Sequence, residues 1–151
     1  MKHAKQVFRI VFLLIIFIAS THMNAQDLDT HKWKNRILII KTNNATSETF
    51  QAQLKELRNA PKDMMERKFV LYQIIGSEYT LMDYKSTTLA NVGKVHGKLE
   101  KVLKDTYDFE VILIGLDGGV KLRQTKLLTK KELFDKVDSM PMRRSELRRK
   151  N

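Results

Sequence analysis

The sequence offers chemistry in three places. Met140-Pro141-Met142-Arg143-Arg144 ends in two adjacent guanidinium groups, planar donors suited to carboxylates, phosphates or sulfated sugars. From Arg143 to Lys150 there are five cations in eight residues. Thr42-Asn43-Asn44-Ala45-Thr46-Ser47 precedes a helical pattern, so its hydroxyls would stand beside the open N–H groups of a helix start, which favour anions. Asp117-Gly118-Gly119 combines an aspartate with two residues that tolerate positive φ. Each place also has a plainer role. Arg143 and Arg144 would satisfy helix-terminal carbonyls or Glu146, Thr46 or Ser47 would serve as N-cap, and Asp117, Gly118 and Gly119 would make a turn. A phosphate-binding glycine loop needs a helix directly after it, whereas a strand pattern follows Gly119. Arg67 is a candidate to join the arginine pair. The candidate anion-binding set is therefore Arg143, Arg144, Arg67, Thr42 and Ser47.

Other chemistries are excluded or unsupported. The chain has no cysteine, which removes disulfides, thiolate metal sites, CxxC redox chemistry and a cysteine nucleophile. His31 and His96 stand alone, the carboxylates are scattered, and no HExxH, GxSxG or P-loop pattern is present. No metal site and no cofactor are implied. The basic end suits an acidic polymer, an anionic surface or a protein partner, but no motif accompanies it that would specify nucleic acid.

These residues need a scaffold. The 151 residues, 42% hydrophobic with a net charge of +11, suit one domain with a packed core. Residues 1–25 read as a signal peptide: Lys2, Lys5 and Arg9, then an apolar run from Ile10 to Ala19, then Ala25 before the expected cut. That run is too short to span hydrocarbon, and no later segment would do so. The expected organisation is a signal peptide at 1–25, a domain at 26–147 and a basic tail at 148–151. The expected location is exported, either periplasmic or secreted. A cysteine-free exported domain suits a bacterial envelope.

Arg36 to Lys41 is a short apolar run flanked by charge, the pattern of a strand buried on both faces, and Phe69 to Ile75 and Phe109 to Gly115 read as a second and a third strand. Phe50, Leu54 and Leu57 predict a helix that stops before Pro61, and Lys62 to Arg67 suit one further helical turn. Residues 76–91 read as a loop or irregular insert. Val95, Leu99 and Val102 predict a second helix. Val120 to Arg123 alternates like an edge strand and forms a hairpin with the third run. Thr129-Lys130-Lys131-Glu132 is a capping box opening a last helix, which Pro141 stops. The order β-α-β-α-β-β-α predicts an α/β fold of thioredoxin-like arrangement, a four-stranded mixed sheet with about three helices.

Trp33-Lys34-Asn35-Arg36-Ile37-Leu38-Ile39-Ile40, Glu66-Arg67-Lys68-Phe69-Val70, the stretch Phe109 to Lys121 and Asp138-Ser139-Met140-Pro141-Met142-Arg143-Arg144-Ser145-Glu146 resemble the P-DUDES family, a domain of unknown function. That domain occurs alone in bacterial secreted proteins and within sushi-repeat extracellular proteins of animals. The chain departs from the pattern at Leu116, where Lys is common. The resemblance implies a thioredoxin-like, peroxiredoxin-like fold and no settled activity. Thioredoxin-type redox chemistry is not expected, because the first-helix loop lacks a thiol and Asp105 to Phe109 contains no proline. Three readings follow: a non-catalytic binding domain of the envelope or exterior, an enzyme using the first-helix loop together with the arginines, and a basic protein associated with the envelope surface. A pocket joining Thr42 and Ser47 to Arg143 would favour the enzyme.

Overall fold

The computed structural model describes residues 28–85 and 91–150. The expected signal peptide and its expected cleavage position fall on residues outside the described ones, as do residues 86–90. A 3-10 turn at Leu28–His31 leads into β1 (Arg36–Thr42), α1 (Glu48–Arg58), α2 (Pro61–Glu66), β2 (Phe69–Ile75), β3 (Glu78–Asp83) and β4 (Asn91–Lys94). These are followed by α3 (Gly97–Val102), β5 (Phe109–Ile114), β6 (Val120–Gln124), α4 (Lys130–Asp138) and α5 (Pro141–Lys150).

Every residue of β1 and β5 is buried, because both strands lie inside the sheet and are covered on both faces. Side chains alternate across the sheet. Leu38 and Ile40 join Phe50, Leu57, Met64, Leu133 and Val137 of α1, α2 and α4 on one face. Ile37 and Ile39 join Leu99 of α3 on the other. The strands are ordered β4-β3-β2-β1-β5-β6. β1 and β2 are parallel; every other neighbouring pair is antiparallel.

The α/β class agrees with the sequence reading, but the sheet has six strands rather than four, and five helices are described rather than about three. The additional strands come from the stretch read as a loop. Gly76 at φ 58 and Ser77 form a two-residue connection between Ile75 and its partner Glu78, the pattern of a type II′ hairpin turn. Tyr79 and Leu81 then point inward, while Glu78 and Met82 stay exposed. Tyr79 lies across Gly93 of β4, where a Cβ would come within 2.7 Å of the Tyr79 ring.

The additional helices have local causes. Pro61 opens α2 and Pro141 opens α5, each at a position where no intrahelical N–H bond is needed. Thr129 and Glu132 make both bonds of the capping box that starts α4. Arg148, Arg149 and Lys150 form the last turn of α5.

Candidate functional site

The arginines converge where β1 begins. Asp138, at the end of α4, accepts from Arg67 Nε (3.1 Å) and Nη2 (2.6 Å), and also from Arg143 Nε (3.1 Å). Arg143 Nη2 donates to Glu66 Oε1 at 2.8 Å, and its Nη1 donates to the Glu66 carbonyl at 3.4 Å. Glu146, one turn further along α5, accepts from Lys68 Nζ (3.0 Å) and Arg36 Nη1 (3.3 Å). Arg36 Nη1 also donates to the Arg67 carbonyl at 2.9 Å. The Arg67 guanidinium lies 4.3 Å from the centre of the Phe134 ring, which adds a cation–π contact.

Four cations thus surround three carboxylates. Burial alone would raise Asp138 and Glu146, but hydrogen bonds from Arg67 and Arg143 hold Asp138 below its ordinary value. Lys68 and Arg36 do the same for Glu146. Burial pulls the Arg36 guanidinium down, while Glu66 and Asp138 overcome burial and raise Arg143. The N–H groups of Arg67 and Arg143 that an anion would need are directed at the protein's own carboxylates and carbonyls. What the cluster does chemically is fasten α5 and α4 to α2 and to the start of β1. Lys68 adopts φ 56 at the end of α2, a left-handed conformation that costs roughly 1–2 kcal/mol and directs the chain into β2.

The remaining sequence candidates lie elsewhere. Arg144, beside the buried Arg143, is exposed. Thr42 is at the far end of β1 from Arg36, about 20 Å away at ~3.3 Å per residue. Its hydroxyl accepts from Asn44 N (3.1 Å) and donates to Asn44 O (3.0 Å). Asn44 Oδ1 takes the Thr46 N–H at 2.9 Å. Ser47 is the N-cap of α1 and makes no side-chain capping bond. The structure therefore groups Arg67 with Arg143 and separates Thr42 and Ser47 from both. Asp117 Oδ1 accepts from Gly119 N at 3.1 Å, Asp117 Oδ2 pairs with Lys121 Nζ at 2.6 Å, and Gly118 has φ 81. Hydrogen bonds from Lys121 and Gly119 hold the Asp117 carboxyl below its ordinary value.

A family model described as "Domain of unknown function (DUF4174)" matches residues 27–146. The chain belongs to this family. The matched span closes at Glu146, the C-terminal carboxylate of the cluster. The sushi-repeat-containing protein SRPX of Rattus norvegicus is 26% identical over 130 residues, covering 80% of this chain and 26% of the relative. The Mus musculus protein of the same name is 25% identical over 130 residues with the same coverage. The chain spans about a quarter of the length of these relatives. No solved structure matches.

Sequence reasoning missed other polar anchors of the DUF4174 domain. Lys41 is buried in β1 and donates to the carbonyls of Lys104 (2.8 Å) and Tyr107 (2.9 Å). Glu110, fully buried in β5, accepts from Lys104 N at 2.9 Å and pairs with Arg123, which also donates to the Val102 carbonyl. Together they tie down the connection from α3 to β5. Gln53 bonds both Leu128 N (2.7 Å) and Leu128 O (2.8 Å), completing that residue's backbone pairing as a strand would. Glu110 directly before an apolar run was a visible signal, since charged residues are rarely fully buried unless paired. Gln53 gave none.

Proposed function

We propose that this DUF4174 domain is an exported, thioredoxin-like binding domain without redox cysteines, and that its partner is an acidic polymer held by the outer face of α5. The observation that carries this reading is the orientation of α5. Arg143 and Glu146 are turned inward and ion-paired, while Arg144, Arg148 and Arg149 are exposed on the same helix. Among the described residues, the side chains of those three arginines make no hydrogen bond or ion pair. A helix fixed from behind presents them on its outer half rather than as a loose end, and Arg144 and Arg148 are neighbours at i, i+4.

The thioredoxin-like assignment is supported by the inner strands β2-β1-β5-β6, with β5 antiparallel to β1, to which the β3–β4 hairpin is an extension. It agrees with the P-DUDES resemblance of Asp138 to Glu146. Export is supported by the charged start, the apolar run and Ala25. Intact-mass measurement of protein from the native cell should show a chain beginning at Gln26; a full-length chain in the membrane fraction would contradict export by cleavage.

Heparin and polyphosphate columns test the binding reading. Arg144, Arg148 and Arg149 changed together to Gln should elute at clearly lower salt than wild type, with melting unchanged. Equal elution of the two proteins would remove α5 as the binding face.

A further inference from the structure

The two faces of the sheet are covered unequally. α1, α2 and α4 pack on one face, whereas the six-residue α3 and the 3-10 turn cover the other. Between that turn, α3 and the tip of the β5–β6 hairpin lies a hollow of about 270 Å³. Its floor is Ile37 of β1 and Ile114 of β5, and Leu28 and Val102 supply apolar walls. The polar groups are confined to the rim, where Lys98 pairs with Asp29. Lys101, one turn along α3 from Lys98, also lines the hollow, and its side chain has no hydrogen bond or ion pair among the described residues. Lys101 therefore places an ammonium at the mouth of an apolar hollow.

We propose that this hollow binds a small amphiphilic carboxylate, with its apolar body on Ile37 and Ile114 and its carboxylate on the Lys101 ammonium. The size limits the class. At about 270 Å³ the hollow lies just below the ~300–1,000 Å³ of pockets for drug-sized ligands. It suits a single short chain or one ring bearing one anionic head. The charge sets the polarity: an ammonium beside apolar surface favours an anion whose remainder is apolar, and disfavours both a neutral alcohol and a cation. The site lies on the opposite sheet face from α5, so it stands independently of the polymer reading.

Sodium octanoate is the test ligand, titrated into the whole chain with methyl-labelled Ile, Leu and Val. Saturable shifts are expected at Ile37, Ile114, Leu28 and Val102. Octanol should bind more weakly. Lys101→Gln should weaken octanoate roughly tenfold or more, as expected for loss of a charge-assisted bond. Lys62→Gln, on exposed α2 beneath the other face, should not change it, nor should the triple Gln variant of α5. Lys101 is exposed, so its variant should fold, and an unchanged melting curve verifies this. Absence of saturable shifts at those four residues would overturn the proposal. So would equal binding of octanol, or equal weakening by Lys101→Gln and Lys62→Gln.

Discussion

Arg143→Gln is the sharpest probe of how this domain is held together. Arg143 is 1% exposed and faces Glu66, Asp138 and Glu146 at 2.8, 3.1 and 3.5 Å. Removing one partner of a buried ion pair costs about 3–5 kcal/mol when the other charge is orphaned. None is fully orphaned here, because Glu66 and Asp138 both keep Arg67, and Glu146 keeps Lys68 and Arg36. The carboxylates are also 17–40% exposed, so water takes up part of the loss. The expected cost is therefore about 2–3 kcal/mol, below the orphaned-charge range. For a domain of this size that is a fall in Tm of roughly 6–15 °C. Thermal unfolding followed by circular dichroism is the assay, with Arg144→Gln as the exposed neighbour, expected to stay within about 0.5 kcal/mol of wild type. If the two variants melt together, α5 is not latched through Arg143 and the account of the cluster fails.

Acid should act in two windows. Burial lowers His31 below its ordinary value, so the folded state takes up a proton less readily than the unfolded chain, and stability should decline as pH falls below about 6.5; His31→Gln should flatten that part of a Tm–pH profile. Asp138 and Glu146 are held low by their cations, so their contribution is complete above the ordinary carboxylate range and is lost as pH drops below about 4.5; a Tm constant between pH 5 and 2.5 would contradict this. Gln53→Ala should cost about 2–6 kcal/mol in urea unfolding, since it leaves both Leu128 backbone groups buried and unpaired at about 1–3 kcal/mol each. An unchanged midpoint would show that Leu128 has other partners.

What the sequence made legible was what depends on near neighbours. The apolar runs at Ile37 to Ile40, Phe69 to Ile75 and Phe109 to Ile114 declared strands, and Thr129 with Glu132 declared a helix start. β3 escaped because one face of it is wet: Tyr79 and Leu81 are separated by Thr80 and followed by exposed Met82, so no continuous run exists. Gly76-Ser77 was nonetheless a readable hairpin signal. The arginine cluster was half legible. Arg67 and Arg143 were singled out as cations for an external anion, but the partners they actually use are Glu66 and Asp138, and the Arg143–Glu66 bond spans 77 positions. Nor did Arg36 and Lys41, the charges at the ends of the first run, disclose their partners, for the same reason. A charge is buried or exposed according to a partner that only the fold brings near.

The placement of Arg36 bears on how the chain acquires its structure. β1 must wait for β5, and the buried guanidinium at its start meets Glu146, 110 residues further on. Contacts of such long sequence separation slow folding, because the loop must close before they reward it. A chain made only as far as β2 has an unpaired charge at the start of its central strand and no antiparallel neighbour for that strand. The sheet and the cluster are therefore expected to be completed only once β5, β6 and α5 have been synthesised.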